Sequence, residues 1–221
     1  VRYVNNAREL GQPAAVILPG TKLTLSDLRW LRRQGLEQPI VELARQGAAV
    51  VGICGGYQML GLTIADRMGV ESPGGEQLPG LGLLPLQTEF AAAKTTEQVR
   101  AEALPGPGFL ALAAGTPVSG YEIHMGHSEC VASEVRPLFK FSHRKALEGA
   151  VDTAGRVWGT YLHGVFDNTA FRRAWLQSLG WSPPGRDVDL VAVRQAEYDR
   201  LAAAVRSSLD MAQLRQIANM G

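Results

Sequence analysis

The 221-residue chain has only two cysteines, Cys54 and Cys130. That is too few for a disulfide framework, and such sparing use points to a reducing, cytoplasmic compartment. No apolar run reaches the ~18 residues that a membrane-spanning helix needs, so no membrane partner is expected. Neither charge sign dominates: 22 Lys and Arg stand against 21 Asp and Glu. Without a basic block there is no electrostatic footprint for nucleic acid. The sequence has no G-x-x-x-x-G-K-[ST] phosphate loop, so these residues are not expected to bind ATP. A charged-then-apolar leader is also missing. The opening VRYVNN has no initiator Met, from which we expect a domain excised from a longer chain.

The sequence has enough apolar residues, 46% of the chain, for a core that needs no staples. Ala14 to Leu18 is a short apolar run stopped by Pro19-Gly20, read as a buried strand entering a turn. Ser26-Asp27 open a helix that ends at Gly35, and Pro39 to Gln46 make a second, closed by Gly47. Ala48 to Ile53 is another buried strand, followed by helix from Gly55. This alternation predicts an α/β fold with a mostly parallel sheet flanked by helices. Between Ser72 and Gly126 prolines and glycines multiply, and the runs Leu83 to Phe90 and Val118 to Met125 read as an added antiparallel segment with long loops. Gly155 to Leu162 returns to strand. Thr169 to Leu179 is an amphipathic helix, Ser182-Pro183-Pro184-Gly185 a break, and Val188 to Leu209 a long helix with a helical tail behind it. We read residues 1–221 as one domain.

Cys54 lies between a strand and a glycine pair, in VVGICGGYQML. A nucleophile on such a turn projects from the sheet edge, and the helix behind it offers N–H groups and a positive end that lowers a thiol's pKa. A small buried hydrophobe would suit the same place. A cysteine nucleophile also needs a base. His163 follows the strand GRVWGTYL at a turn made by Gly164, and two parallel strands ending at one sheet edge would bring it to Cys54. His124 and His127 are three apart on a strand and so face opposite ways, which argues against a shared metal ion. Cys130 has neither glycine turn nor local base and reads as core.

The CGGYQ turn resembles the nucleophile turn of the class I (triad-type) glutamine amidotransferases, which have a flavodoxin-like fold. Four segments in order, ILPGTK (Ile17–Lys22), VVGICGGYQMLG (Val50–Gly61), GYEIHMGHSE (Gly120–Glu129) and GTYLHGVFDN (Gly159–Asn168), resemble more closely the glutaminase domain of the cobyric acid synthase family. The resemblance implies that Cys54 attacks the side-chain amide of glutamine to form a thioester, with His163 as base and then acid. It implies an oxyanion hole from Gly20 and Gly55, and glutamine contacts from Gln58, Tyr57 and His124. It further implies that the ammonia serves ATP-dependent amidation of corrinoid carboxylates, adenosylcobyrinic acid a,c-diamide to adenosylcobyric acid, in cobalamin biosynthesis. The partners would be an N-terminal synthetase domain and the corrinoid on it, with ATP and Mg held there and no cofactor here.

Triad-type members usually carry Glu two residues after the histidine, where this chain has Val165. The family resembled is understood to lack it, which leaves the third member open between Glu122 and Asp167. Asp167 also suits an N-cap for the next helix. Without an orienting carboxylate, slow glutamine hydrolysis by the isolated domain is expected. Three alternatives stay open here. The first is the glutaminase of a cobyrinic acid a,c-diamide synthase or of a cell-wall amidating complex. The second is another cysteine hydrolase on the same fold. The third is a non-catalytic module with a redox-sensitive Cys54.

Overall fold

In a computed structural model, which describes residues 1–182 and 188–218, a short helix α1 (Ala7–Leu10) precedes strand β1 (Ala15–Leu18). Helices α2 (Thr24–Arg33) and α3 (Glu37–Arg45) follow, then β2 (Ala49–Ile53) and α4 (Gly55–Met59). The chain continues through β3 (Thr63–Asp66), β4 (Glu76–Pro79), β5 (Leu86–Ala103), α5 (Leu110–Ala113) and β6 (Pro117–Cys130). Next come β7 (Phe139–Phe141), β8 (Leu147–Glu148), β9 (Ala150–Val151), β10 (Val157–Thr160), β11 (Leu162–His163) and α6 (Thr169–Ser178). The chain divides into two compact units, Val1–Ser182 and Pro183–Gly221. The break expected at Ser182–Gly185 lies, beyond Ser182, outside the described residues.

The first sheet has the order β1-β2-β10-β9. β1 and β10 both run parallel to β2, and β9 is antiparallel to β10. Successive residues of β2 and β10 serve opposite faces. Val50 and Val157 join the cluster built by Leu25, Leu28, Leu31, Ile40 and Leu43 of α2 and α3. Val51 and Trp158 join the one built by Phe109, Leu110, Phe171 and Trp175. A sheet covered on both faces needs continuous apolar strands, which is why AVVGI and VWGT show no alternation. Helix α2 starts two residues before Ser26. The Glu71 carboxylate, from a distant loop, accepts the Leu25 N–H at 3.1 Å and replaces a local cap.

The second sheet runs β11-β6-β5-β3-β4, with β7 on β5 and β8 on β7. Its antiparallel arm is longer than the sequence runs suggested. β5 and β6 pair from Leu86↔Cys130 to Glu102↔Pro117, with the register shifting between Glu89 and Lys94. Val99, Ala101 and Ala103 alternate inward and carry β5 through a stretch expected to be loop. The single strand expected over Gly155 to Leu162 splits instead between the sheets, β10 in the first and β11 in the second. In the second unit α7 (Leu190–Ser208) begins where Asp189 caps the Val191 and Ala192 N–H groups, and Asp210 caps α8 (Met211–Ile217) in the same way. Among the described residues no helix is long and apolar enough to cross a membrane.

Glu148 holds the corner between the sheets. Its carboxyl bonds the Thr160 hydroxyl and the Tyr161 N–H, both at 2.6 Å. Burial pushes its pKa from 4.5 up to about 8, with Glu122 adding to the rise and Arg144 opposing it. A carboxyl protonated in the fold but ionised when unfolded makes stability fall as pH rises from 4.5 to about 8. Glu148→Gln, which copies the protonated form, should therefore melt with wild type near pH 4.5 and above it near pH 8. The gap should be about 2–4 °C for each kcal/mol relieved; a gap that shrinks with pH would contradict the buried neutral carboxyl.

Candidate active site

Cys54 follows β2 in a backbone conformation, φ 51° and ψ −111°, that no other non-glycine among the described residues approaches in the sign of φ. Such geometry costs about 1–3 kcal/mol and persists only where the surroundings impose it. Here the Cys54 N–H donates to the Thr160 carbonyl of β10 at 2.8 Å, and the Cys54 carbonyl accepts from the Gln58 N–H at 3.0 Å. The turn is thus bolted to the neighbouring strand and to its own helix. Gly56 explains half of the glycine pair: a Cβ there would overlap the Leu18 carbonyl of β1. A buried structural cysteine needs none of this strain.

The parallel β2–β10 register, Thr160 opposite Ile53, brings the chain after β10 back to the same edge. His163 follows three residues later on β11. Gly20 shows how closely the parts converge. A Cβ on it would stand 2.7 Å from His163 Cε1 and 3.5 Å from the Cys54 Cβ. The Ile123 carbonyl of β6 accepts from the Cys54 thiol at 3.4 Å and also faces the His163 imidazole. His163 Nε2 is buried without a hydrogen-bond partner among the described residues. The Gly55 N–H points at the Cys54 sulfur.

Burial raises the Cys54 thiol above its ordinary 9.0; the Gly55 N–H opposes this and Glu71 adds to it. The depressed thiol pKa expected from the helix terminus is therefore not found. α4 has only five residues, and its first amide does not outweigh desolvation. Burial likewise lowers His163 below 6.5, against the pull of the Ile123 carbonyl. At neutral pH the resting pair is a thiol beside a neutral imidazole, which is a base ready to accept a proton.

The residues expected to touch glutamine stand behind Cys54. Gln58 is only 2% exposed. Its carbonyl accepts from Thr24 at 2.9 Å, and its amide donates to the Met125 carbonyl at 3.2 Å and the Tyr161 hydroxyl at 3.3 Å. Tyr57 is buried edge-on to Tyr161. His124 lies flat on Tyr161 with centroids 3.8 Å apart, and its Nδ1 meets the Gly126 carbonyl at 3.0 Å. These three form a packed wall. Beyond it a cavity of about 470 Å³ is lined by Glu122, His124, Arg144, Glu148 and Tyr161, among others.

Neither carboxylate weighed as the third member is shown meeting the His163 ring. β6 pairs β11 with Glu122 opposite Leu162 and Tyr121 opposite His163, so Glu122 lies on the other face of the pleat. There it is bonded to Arg144; burial raises its carboxyl, but His124 and Arg144 together bring it below 4.5. Asp167 ends a 3-10 turn (Val165–Asp167) and folds toward Gly164. The turn continues through it, so the cap position of α6 falls to Asn168. Sequence reasoning missed Asn168, although it closes the motif GTYLHGVFDN. Its side chain bonds Ser119 N and O, both at 2.9 Å, and the Gly164 and Val165 carbonyls, pinning the His163 loop to β6. Cys130, expected in the core, is exposed where β6 runs out to solvent. His127 is exposed too.

Residues 1–171 match the model of the CobB/CobQ-like glutamine amidotransferase domain. The chain belongs to that family. All of it aligns with the cobyric acid synthase of Desulfitobacterium hafniense, at 42% identity over 225 residues. It aligns equally fully with that of Roseiflexus castenholzii, at 43% over 226. It spans only 43% of the length of either relative. Among solved structures, a glutamine amidotransferase shares its fold at 19% identity and TM-score 0.58, covering 80% of this chain and 85% of that one. The PurLQS structure from Thermotoga maritima does so at 17% and 0.59, with the same coverage. The domain is thus an α/β glutamine amidotransferase domain, as its motifs implied.

The two thiols should separate by reactivity. With a pKa above 9.0, under about 1% of Cys54 is thiolate at pH 7. Limiting iodoacetamide at that pH should modify exposed Cys130 first, and Cys54 should gain on it only as pH rises toward 9. Peptide mapping that found Cys54 alkylated first at pH 7 would show that its thiol is ionised in spite of its burial.

Proposed function

We propose that this domain hydrolyses glutamine through a Cys54 thioester and passes the ammonia to a synthetase segment of the same protein. The reading is carried by the convergence of a strained Cys54, the buried free Nε2 of His163 and the close approach of Gly20. His163 takes the thiol proton as the sulfur attacks the carboxamide carbon. The oxyanion that forms is held by the Gly55 N–H and by backbone at Gly20. The protonated imidazole then gives its proton to the departing nitrogen, releasing ammonia and leaving the γ-glutamyl thioester. Water, deprotonated by the same imidazole, attacks the thioester; the C–S bond breaks, the imidazolium returns its proton to the Cys54 sulfur, and glutamate is released.

The acceptor we assign is a corrinoid carboxylate, in the conversion of adenosylcobyrinic acid a,c-diamide to adenosylcobyric acid, with ATP and Mg used in the synthetase segment. Support comes from the names of the relatives, which align over the whole chain and extend well past it. A reducing, cytoplasmic setting suits a mechanism that needs Cys54 as a free thiol.

Two outcomes test this. In the full-length protein, Cys54→Ala should lose glutamine-dependent amide formation by ~10⁴-fold or more and keep the ammonium-dependent reaction, since the ATP-using half is untouched. A well-folded Cys54→Ala that still uses glutamine, or that uses neither nitrogen source, overturns the assignment. The pH profile is the second outcome. His163 must be neutral to act as base, so kcat/KM should fall only as pH drops through its lowered pKa, below 6.5. It should be flat from there toward pH 9. An acid limb well above 6.5 would mean a different base.

A further inference from the structure

The dyad lacks a carboxylate at the expected place, yet the His163 ring is not loose. β6 pairs with β11 so that Tyr121 stands opposite His163, and the two rings are parallel to within 4° with centroids 5.2 Å apart. The strands touch closely enough that a Cβ on Gly120 would overlap the His163 carbonyl. Two residues along, on the same face of β6, the Ile123 carbonyl faces the imidazole and also accepts the Cys54 thiol at 3.4 Å. Gly20 backs the Cε1 edge of the ring. Tyr121 is 46% exposed, so core packing does not account for its placement.

Building on the glutaminase reading above, we propose that Tyr121 is the positioning residue for His163, and that its ring face and the Ile123 peptide carbonyl together replace the carboxylate of a triad. A triad carboxylate does two things: it fixes the plane and tautomer of the imidazole, and it stabilises the imidazolium. The Ile123 carbonyl accepts an N–H and so fixes the tautomer. The Tyr121 ring fixes the plane, and its negative π face favours the cationic ring that forms during proton transfer. Nε2, buried without a hydrogen-bond partner among the described residues, is then left free to take the thiol proton. The other titratable groups around the ring are Cys54 across Gly20 and His124 further along β6, with Asp167 beyond Gly164.

Glutamine hydrolysis by the full-length protein tests this. Tyr121→Leu should lower kcat by on the order of 10²-fold, the usual consequence of misplacing a reacting group by about 1 Å, with KM little changed. Its acid limb should also move to lower pH, because the imidazolium has lost its π face. Tyr121→Phe keeps the ring without the hydroxyl and should behave as wild type in both respects. If Tyr121→Leu folds poorly in a thermal scan, Tyr121→Met takes its place, with the His163 titration followed by NMR against Tyr121→Phe. The proposal fails if the ring-less variant keeps wild-type kcat and acid limb, or if Tyr121→Phe is impaired as much. His163→Ala separates the two readings. Full turnover in that variant overturns the glutaminase site itself, whereas an inactive His163→Ala beside a fully active Tyr121→Leu overturns only the role of Tyr121.

Discussion

The hydrogen bond from Cys54 N–H to the Thr160 carbonyl joins the two strands on which the site depends. It closes the parallel β2–β10 ladder at the point where β2 must bend, so the ladder's register sets the conformation of Cys54. Beyond Thr160 the chain leaves the first sheet, turns at Tyr161 and joins the second at Leu162. His163 therefore reaches Cys54 because one chain passes between two sheets, with Glu148 gripping both Thr160 and Tyr161. If this corner loosened, both the strained turn and the imidazole would lose their references together.

Burial sets the resting chemistry. It raises the thiol and lowers the imidazole, so the pair stays neutral and the proton remains on sulfur, lent to the Ile123 carbonyl. An ion pair in this place would carry a desolvation cost of several kcal/mol per ion. The neutral pair avoids that cost. The Gly55 N–H aimed at the sulfur pulls the thiol the other way without outweighing its burial.

What was legible in the sequence was local. The runs AVVGI and VWGT gave the parallel sheet because a strand covered on both faces leaves an uninterrupted apolar record, and the edge run AVIL reads the same although Ile17 is 40% exposed. CGGYQ gave the turn because only glycine tolerates the approach of α4 to β1 at Gly56. What escaped depends on partners distant in sequence. Glu71 caps α2 from 46 residues away. Thr95 to Ala103 look like loop until β6 pairs with them. Cys130 looks like core until the strand carrying it is seen to reach solvent. The thiol pKa was misjudged because burial is a property of the packed site, whereas the helix that was expected to lower it can be read from five residues.

The pleat of β6 shows how one motif serves two environments. In GYEIHMGH, Tyr121 and Ile123 fall on the side of the dyad, while Glu122 and His124 fall on the side of the cavity. A one-residue slip of the β6–β11 register would exchange them, placing a carboxylate next to His163 and an aromatic ring in the polar cavity. Gly120 opposes that slip, because any other residue in its place would set a Cβ against the His163 carbonyl. Asn168 opposes it as well, because its side chain grips Ser119 N and O and the carbonyls of Gly164 and Val165. A glycine on β6 and a side chain five residues past His163 therefore hold, through register, which chemistry faces the imidazole.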